Sequence, residues 1–215
     1  IDRGTLGNET DILNDYRVVI IADPQEPFSE KDKYILDQYL MQGGRILWVV
    51  NGVRFSDEYL SQSGMTPVIP LELQIDDMLF RYGVRVNATL VQDLQCLPVP
   101  VDVSSDPQQP NWQPMPWTYA PLLLTSHASP ITRNLMQVSS TMASTIEFVG
   151  GEDGIYKEVL LATSSASRIT GTPAQVDLGF DDANPEEYRY AYVPVAASME
   201  GVFPSLFAHL LPPED

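Results

Sequence analysis

Val18-Val19-Ile20-Ile21-Ala22 is a short unbroken apolar run that stops at Asp23-Pro24, and Ile46-Leu47-Trp48-Val49-Val50 is a second that stops at Asn51-Gly52. Proline offers no backbone donor, so Pro24 ends the first run as a strand. Between them, Ser29-Glu30-Lys31-Asp32 has the form of a capping box, with Ser29 as N-cap and acid in the first turn. Ile35, Leu36, Tyr39 and Leu40 recur at helical spacing, and Gly43-Gly44 closes the helix, since a left-handed C-terminal residue is least costly for glycine. The stretch therefore reads as strand, helix, strand. Continuous apolar strands joined this way predict a parallel pair, covered on both faces, with a right-handed crossover.

Further elements follow. A helix is expected over about 73–82, with Ile75, Met78, Leu79 and Tyr82 on one face and Gly83 as its stop. Val84-Arg85-Val86 and Leu90–Leu94 read as short extended pieces. Residues 98–121 read as a proline-rich loop, long enough to be functional or folded over the domain. Ser144–Val149 and Tyr156–Thr163 flank Gly150-Gly151-Glu152-Asp153-Gly154, a hairpin or sharp connection. Tyr188–Met199 is a last strand region and Ser205–Leu211 a short closing helix. The expected fold is a single α/β layered domain over 1–215, with a partly parallel central sheet and antiparallel additions.

Charge limits the partners. With 12 basic against 29 acidic residues the net charge is -17, and no Lys/Arg stripe exists to neutralise phosphates, so nucleic acid is not an expected partner. An anionic membrane surface would repel the same charge. No apolar run approaches the roughly 20 residues that cross a bilayer. The chain starts at Ile1-Asp2, which reads as an excised piece of a longer protein. A single cysteine, Cys96, excludes an internal disulfide and a cysteine zinc cluster.

Ligands of open α/β sheets sit beyond the carboxyl ends of the strands. Here those ends carry Asp23, Asn51, Ser164-Ser165 and Glu200, a polar cluster if the strands are adjacent, or turn-formers if they are not. Trp112, Trp117 and Tyr119 would stack on a sugar, grip a partner, or pack the 98–121 loop onto the domain. Cys96 lies in Asp93-Leu94-Gln95-Cys96-Leu97-Pro98, without the small neighbours of a nucleophile elbow, so a buried thiol is expected before a catalytic one with His127 or His209 as base. Neither histidine has metal-ligand spacing. Asp181-Asp182 and Glu186-Glu187 lack the alternation of a calcium loop and read as a solvated acidic stretch. Neither phosphate-binding glycine motif occurs, and no cofactor, metal or catalytic residue is expected.

The stretch ADPQEPFSEKDKYILDQYLMQGGRILWVVNGV resembles the GldG family of gliding-associated ABC-transporter auxiliary proteins. IDDMLFRYGVRVNATLVQDLQC, HASPITRNL, LLATSSASR and PVAASMEGVFPSLF carry the resemblance onward in order. It implies an inner-membrane parent with this part extracytoplasmic (periplasmic), anchored by segments outside the fragment, beside an ABC permease and an ATPase. It also implies a class I glutamine-amidotransferase-like (flavodoxin-like) fold, a further strand before Ile1, and a scaffold without catalytic residues. The expected function is thus a non-enzymatic interaction domain of a transporter auxiliary subunit, linked to gliding motility or surface secretion. A periplasmic glycan- or peptide-binding module and a cryptic amidotransferase-like hydrolase are the alternatives.

Overall fold

The computed structural model describes residues 4–7, 9–104, 108–150, 154–178 and 184–208. Ser29 caps the first helix as its sequence predicts: its Oγ accepts the Asp32 N–H at 3.1 Å, and Asp32 accepts the Ser29 N–H at 3.0 Å. β1 (Val19–Ala22) thus leads through α1 (Glu30–Met41) into β2 (Ile46–Val49), and the two strands pair in parallel with Ile20 opposite Leu47. Ser29→Ala is expected to cost about 1 kcal/mol in urea unfolding; a loss below a few tenths would mean the cap contributes nothing.

Beyond β2 the architecture changes. In order come β3 (Val53–Arg54), α2 (Asp57–Ser63), β4 (Met65–Pro70), α3 (Asp76–Tyr82), β5 (Val84–Val86), β6 (Thr89–Asp93), β7 (Cys96–Asp102), β8 (Trp112–Thr125), β9 (Gln137–Ser139) and β10 (Ile146–Phe148). They are followed by β11 (Ile155–Ala162), β12 (Ser167–Gly171), β13 (Ala174–Asp177), a 3-10 turn (Pro185–Glu187) and β14 (Pro194–Gly201). The pairings among these later strands are antiparallel. The largest sheet runs β14-β11-β8-β7, with β9 on β8; β3-β4-β13, β6-β12 and β5-β10 form smaller ones.

The layered α/β expectation, flavodoxin-like or amidotransferase-like, is therefore overturned. Among the described residues strand far outweighs helix, in antiparallel curled sheets, and the parallel pair is a two-stranded outlier, not a central sheet. The physical reason lies after β2. α2 and α3 have seven residues each, and the strands around them pair with antiparallel partners, so neither helix bridges a second parallel pair. The 73–82 helix does form, from Asp76, and ends at Gly83 with φ 100°.

Two connections also differ. The 98–121 stretch forms much of a long hairpin between β7 and β8, in which Pro98 pairs with Pro116, Pro100 with Pro114 and Asp102 with Trp112. The strands either side of Gly150–Gly154 pair with β5, β8 and β14, not with each other; residues 151–153 lie outside the described residues. Of the expected closing helix, 206–208 form a turn and 209–211 are outside the described residues.

Among the described residues three apolar clusters form the core. Val53, Leu60, Val68, Leu90, Trp117, Met142 and Val176 fill the space among the antiparallel strands. Ile35, Leu36, Tyr39, Met78 and Tyr82 pack α1 and α3 against Val19, Ile21, Ile46 and Trp48. Leu73, Ile75, Leu79 and Val84 join α3 to β5.

Candidate functional site: the strand ends and the β7–β8 hairpin

Asp23 and Asn51 lie on neighbouring strand ends, for the Asp23 N–H donates to Val49 O at 2.8 Å. Asp23 is exposed, adopts φ 48°, and accepts a bond from Gln25 Nε2 at 2.8 Å. Asn51 is half-buried beside Gly52, whose N–H donates to Ser144 Oγ at 3.1 Å. A Cβ on Gly52 would stand 2.2 Å from Asn87 O, so this position needs glycine for close backbone approach.

Ser164 is elsewhere. It follows β11, is buried, and is held by Asp93: the Ser164 N–H donates to Oδ2 at 2.7 Å and its hydroxyl to Oδ1 at 2.6 Å. Asp93 also accepts the Gln95 N–H at 2.8 Å, while Ser164 Oγ accepts the Ala166 N–H at 3.0 Å. These bonds tie the β6–β7 turn to the β11–β12 turn. Ser165 is exposed beside them. Glu200 is exposed in β14 opposite Tyr156, near the start of β11, while Ser164 lies past its end. Along an extended strand that is roughly 26 Å. The structure thus brings together Asp23 with Asn51, and Ser164 with Ser165, and leaves Glu200 apart.

The aromatic trio divides by strand alternation. Trp117 is buried in the main core and donates Nε1–H to Asp177 O at 3.0 Å. Tyr119 packs against it at 5.9 Å, and its hydroxyl accepts from Gln92 Nε2 at 2.9 Å. Trp112, an odd number of residues away, points outward and is 63% exposed. It shares the outer face of the hairpin with Pro98, Pro100, Pro114 and Pro116, all exposed.

Cys96 is half-buried at the base of this hairpin. Burial pushes its thiol pKa up, the Asp93 charge pushes the same way, and a bond from the Trp117 backbone opposes them. Iodoacetamide at neutral pH should therefore alkylate Cys96 several-fold more slowly than a free thiol; labelling as fast as the free thiol would contradict this environment. His127 is exposed in the turn after β8, and His209 and Asp181-Asp182 lie outside the described residues. Glu187 pairs with Arg168 at 2.5 Å. Among the described residues no three His, Cys, Asp or Glu side chains gather to hold a metal, and no helix is long and apolar enough to cross a membrane.

Sequence reasoning missed two buried carboxylates, Asp93 and Asp37. Asp37, on α1, accepts Tyr82 Oη–H at 2.7 Å, Ser205 Oγ–H at 2.6 Å and Leu206 N–H at 2.8 Å. Burial first, then the bond to Asp37, push the Tyr82 phenol far above its ordinary range, so it remains a donor. Nearby, Lys33 is buried between Glu30 at 2.5 Å and Asp77 at 2.8 Å. Burial alone would lower its pKa, but the two carboxylates outweigh that and raise it. No local signal marks Asp37 or Asp93 as buried, because Tyr82, Ser205 and Ser164, which enclose them, lie 45 to 168 residues away.

Among solved structures, the chain is similar to the one described as "mmIFT52 N-terminal domain", at 18% identity and a TM-score of 0.43, over 74% of this chain and 61% of that one. The match thus spans less than two thirds of that chain's length. No curated protein matches. A family model described as "ABC-type uncharacterized transport system" matches residues 2–215, and the chain belongs to that family of ABC transport auxiliary proteins.

Proposed function

We propose that this chain is a non-enzymatic, extracytoplasmic interaction domain of an ABC-transporter auxiliary subunit, working beside permease and ATPase subunits. The family match over residues 2–215 carries the reading. The buried polar groups at the strand ends agree with it: Asp93 is taken up by Ser164 and Gln95, and Gly52 by Ser144, so these groups hold turns. The parent is held in the inner membrane by segments outside this sequence, and in a gliding host the system serves surface motility or secretion. Affinity purification of the tagged parent from native membranes tests this. Permease and ATPase should come down in fixed ratio; recovery of the protein alone would contradict it.

Trp112 favours a second reading, a glycan- or peptide-binding module. An exposed indole on a proline-lined hairpin face is a stacking platform. Tryptophan fluorescence titrated with cell-wall fragments should then shift in the wild type and not in Trp112→Ala. No shift at millimolar ligand would remove this reading.

A further inference from the structure

Arg17 and Arg45 stand just before β1 and β2, and the Val19 N–H donates to Arg45 O at 2.9 Å, so the two strands start side by side. Between these starts and the end of α1 lies a depression of about 290 Å³, lined by both arginines with Asn14, Gln42 and Tyr39. Among the described residues no carboxylate lines it, although acids outnumber bases 29 to 12 in the chain. Its floor is fixed. Tyr39 is buried, and its hydroxyl donates to Tyr16 O at 3.0 Å and lies 3.4 Å from Arg45 O, which ties down the backbone beside both arginines. Gly44 makes room for that ring, for a Cβ there would collide with it.

Open carbonyls at the end of α1 would claim these cations. The helix closes them with its own turn instead. The Gln42, Gly43 and Gly44 N–H groups donate to Gln38, Leu40 and Tyr39 O at 3.1, 3.0 and 2.9 Å. Among the described residues neither guanidinium has a hydrogen-bond or ion-pair partner. Two uncommitted guanidiniums and two side-chain amides therefore face one concave, acid-free spot on a strongly acidic protein. Guanidinium forks pair with oxyanions through two parallel bonds. A phosphate offers several O–P–O edges and can meet two forks at once, whereas a carboxylate offers one edge.

We propose that this depression binds a small phosphate ester, with its phosphate between Arg17 and Arg45 and the Asn14 and Gln42 amides beside it. The depression holds the volume of roughly ten waters, more than a bare phosphate fills, which leaves space for the group that the phosphate esterifies. A lipid headgroup carries the same chemistry. The net charge of -17 is repelled by an anionic membrane surface, so the ligand is a soluble one. The inference goes beyond the transport reading and does not depend on it.

The test titrates the full chain at low salt with glycerol 3-phosphate, followed by calorimetry. A Kd below about 1 mM is expected. Both arginines are exposed, so the Arg17→Gln/Arg45→Gln variant should keep its fold by circular dichroism and bind at least about tenfold more weakly. Succinate, a dicarboxylate of similar size, should also bind at least about tenfold more weakly than the ester. No binding of the ester at about 10 mM, or undiminished binding by the double variant, overturns the proposal. Succinate binding as tightly as the ester overturns the assignment to phosphate. Vesicles with and without phosphatidylglycerol separate the two sources. Arginine-dependent flotation with the anionic vesicles, without binding of the soluble ester, would overturn the soluble ligand in favour of a headgroup. Each of these failures leaves the transport reading standing, because that reading is tested by recovery of permease and ATPase.

Discussion

Replacing Asp37 with alanine is expected to destabilise the domain by about 4 kcal/mol, because a buried carboxylate that satisfies several donors leaves them all unpaired when it is removed. Asp37 is wholly buried and accepts from Tyr82, Ser205 and the Leu206 backbone. These bonds fasten the segment after β14 onto α1 and α3: Phe203 meets Tyr82 of α3 edge-on at 5.7 Å and Phe207 meets Tyr34 of α1 at 5.2 Å. Urea unfolding should show the full loss, with a fall in Tm of about 10 °C for a domain of this size. Tyr82→Phe removes one bond and should cost only about 1 kcal/mol. The wild type should also show an alkaline limb. A phenol whose folded pKa is raised contributes stability that is complete below its unfolded value, about 10, and is lost as pH rises above that. Asp37→Ala should shrink that limb. A loss under about 1 kcal/mol, with the limb unchanged, would mean that the segment after β14 is held by its phenylalanines alone.

Asp93→Ala should cost about 3 kcal/mol for the same reason, since it orphans the Ser164 and Gln95 donors. This experiment also bears on function. A serine kept for chemistry is often replaced by alanine at no cost in stability, and even with a gain. Here Ser164 bridges two turns, so Ser164→Ala should itself cost about 1 kcal/mol. Cys96 reports independently. Burial still raises its pKa in the variant, but the Asp93 charge that adds to the shift is gone, so alkylation of the folded protein should speed up. Stability of Ser164→Ala at or above wild type would reopen the strand-end cluster as a working site.

Local features were legible in the sequence. Ser29 and Asp32, the Gly83 stop and the parallel strand–helix–strand unit each depend on residues close in the chain. The fold class was not, and Ile20 and Leu47 show why. An apolar run reads the same whether both faces of a strand are covered or one lies open, and here one lies open. The hairpin was hidden by its prolines. They remove ladder donors and so imitate a loop, yet Pro98 faces Pro116 and Pro100 faces Pro114. Trp117 and Trp112 looked alike in sequence, and only the alternation of β8 sends one into the core and the other into solvent. Of the strand-end cluster, Ser164 is legible as a turn residue, whereas Asp93, which accepts both its N–H and its hydroxyl, sits unmarked at the end of β6. Asp37 stood among helix polar positions as though solvated.

The central claim is that this domain is an interaction part of an ABC transport assembly. Amide hydrogen exchange tests it most directly, comparing the parent protein free and within the assembly purified from native membranes. The account predicts added protection over a contiguous surface of this domain within the assembly. No added protection anywhere in the domain would contradict it.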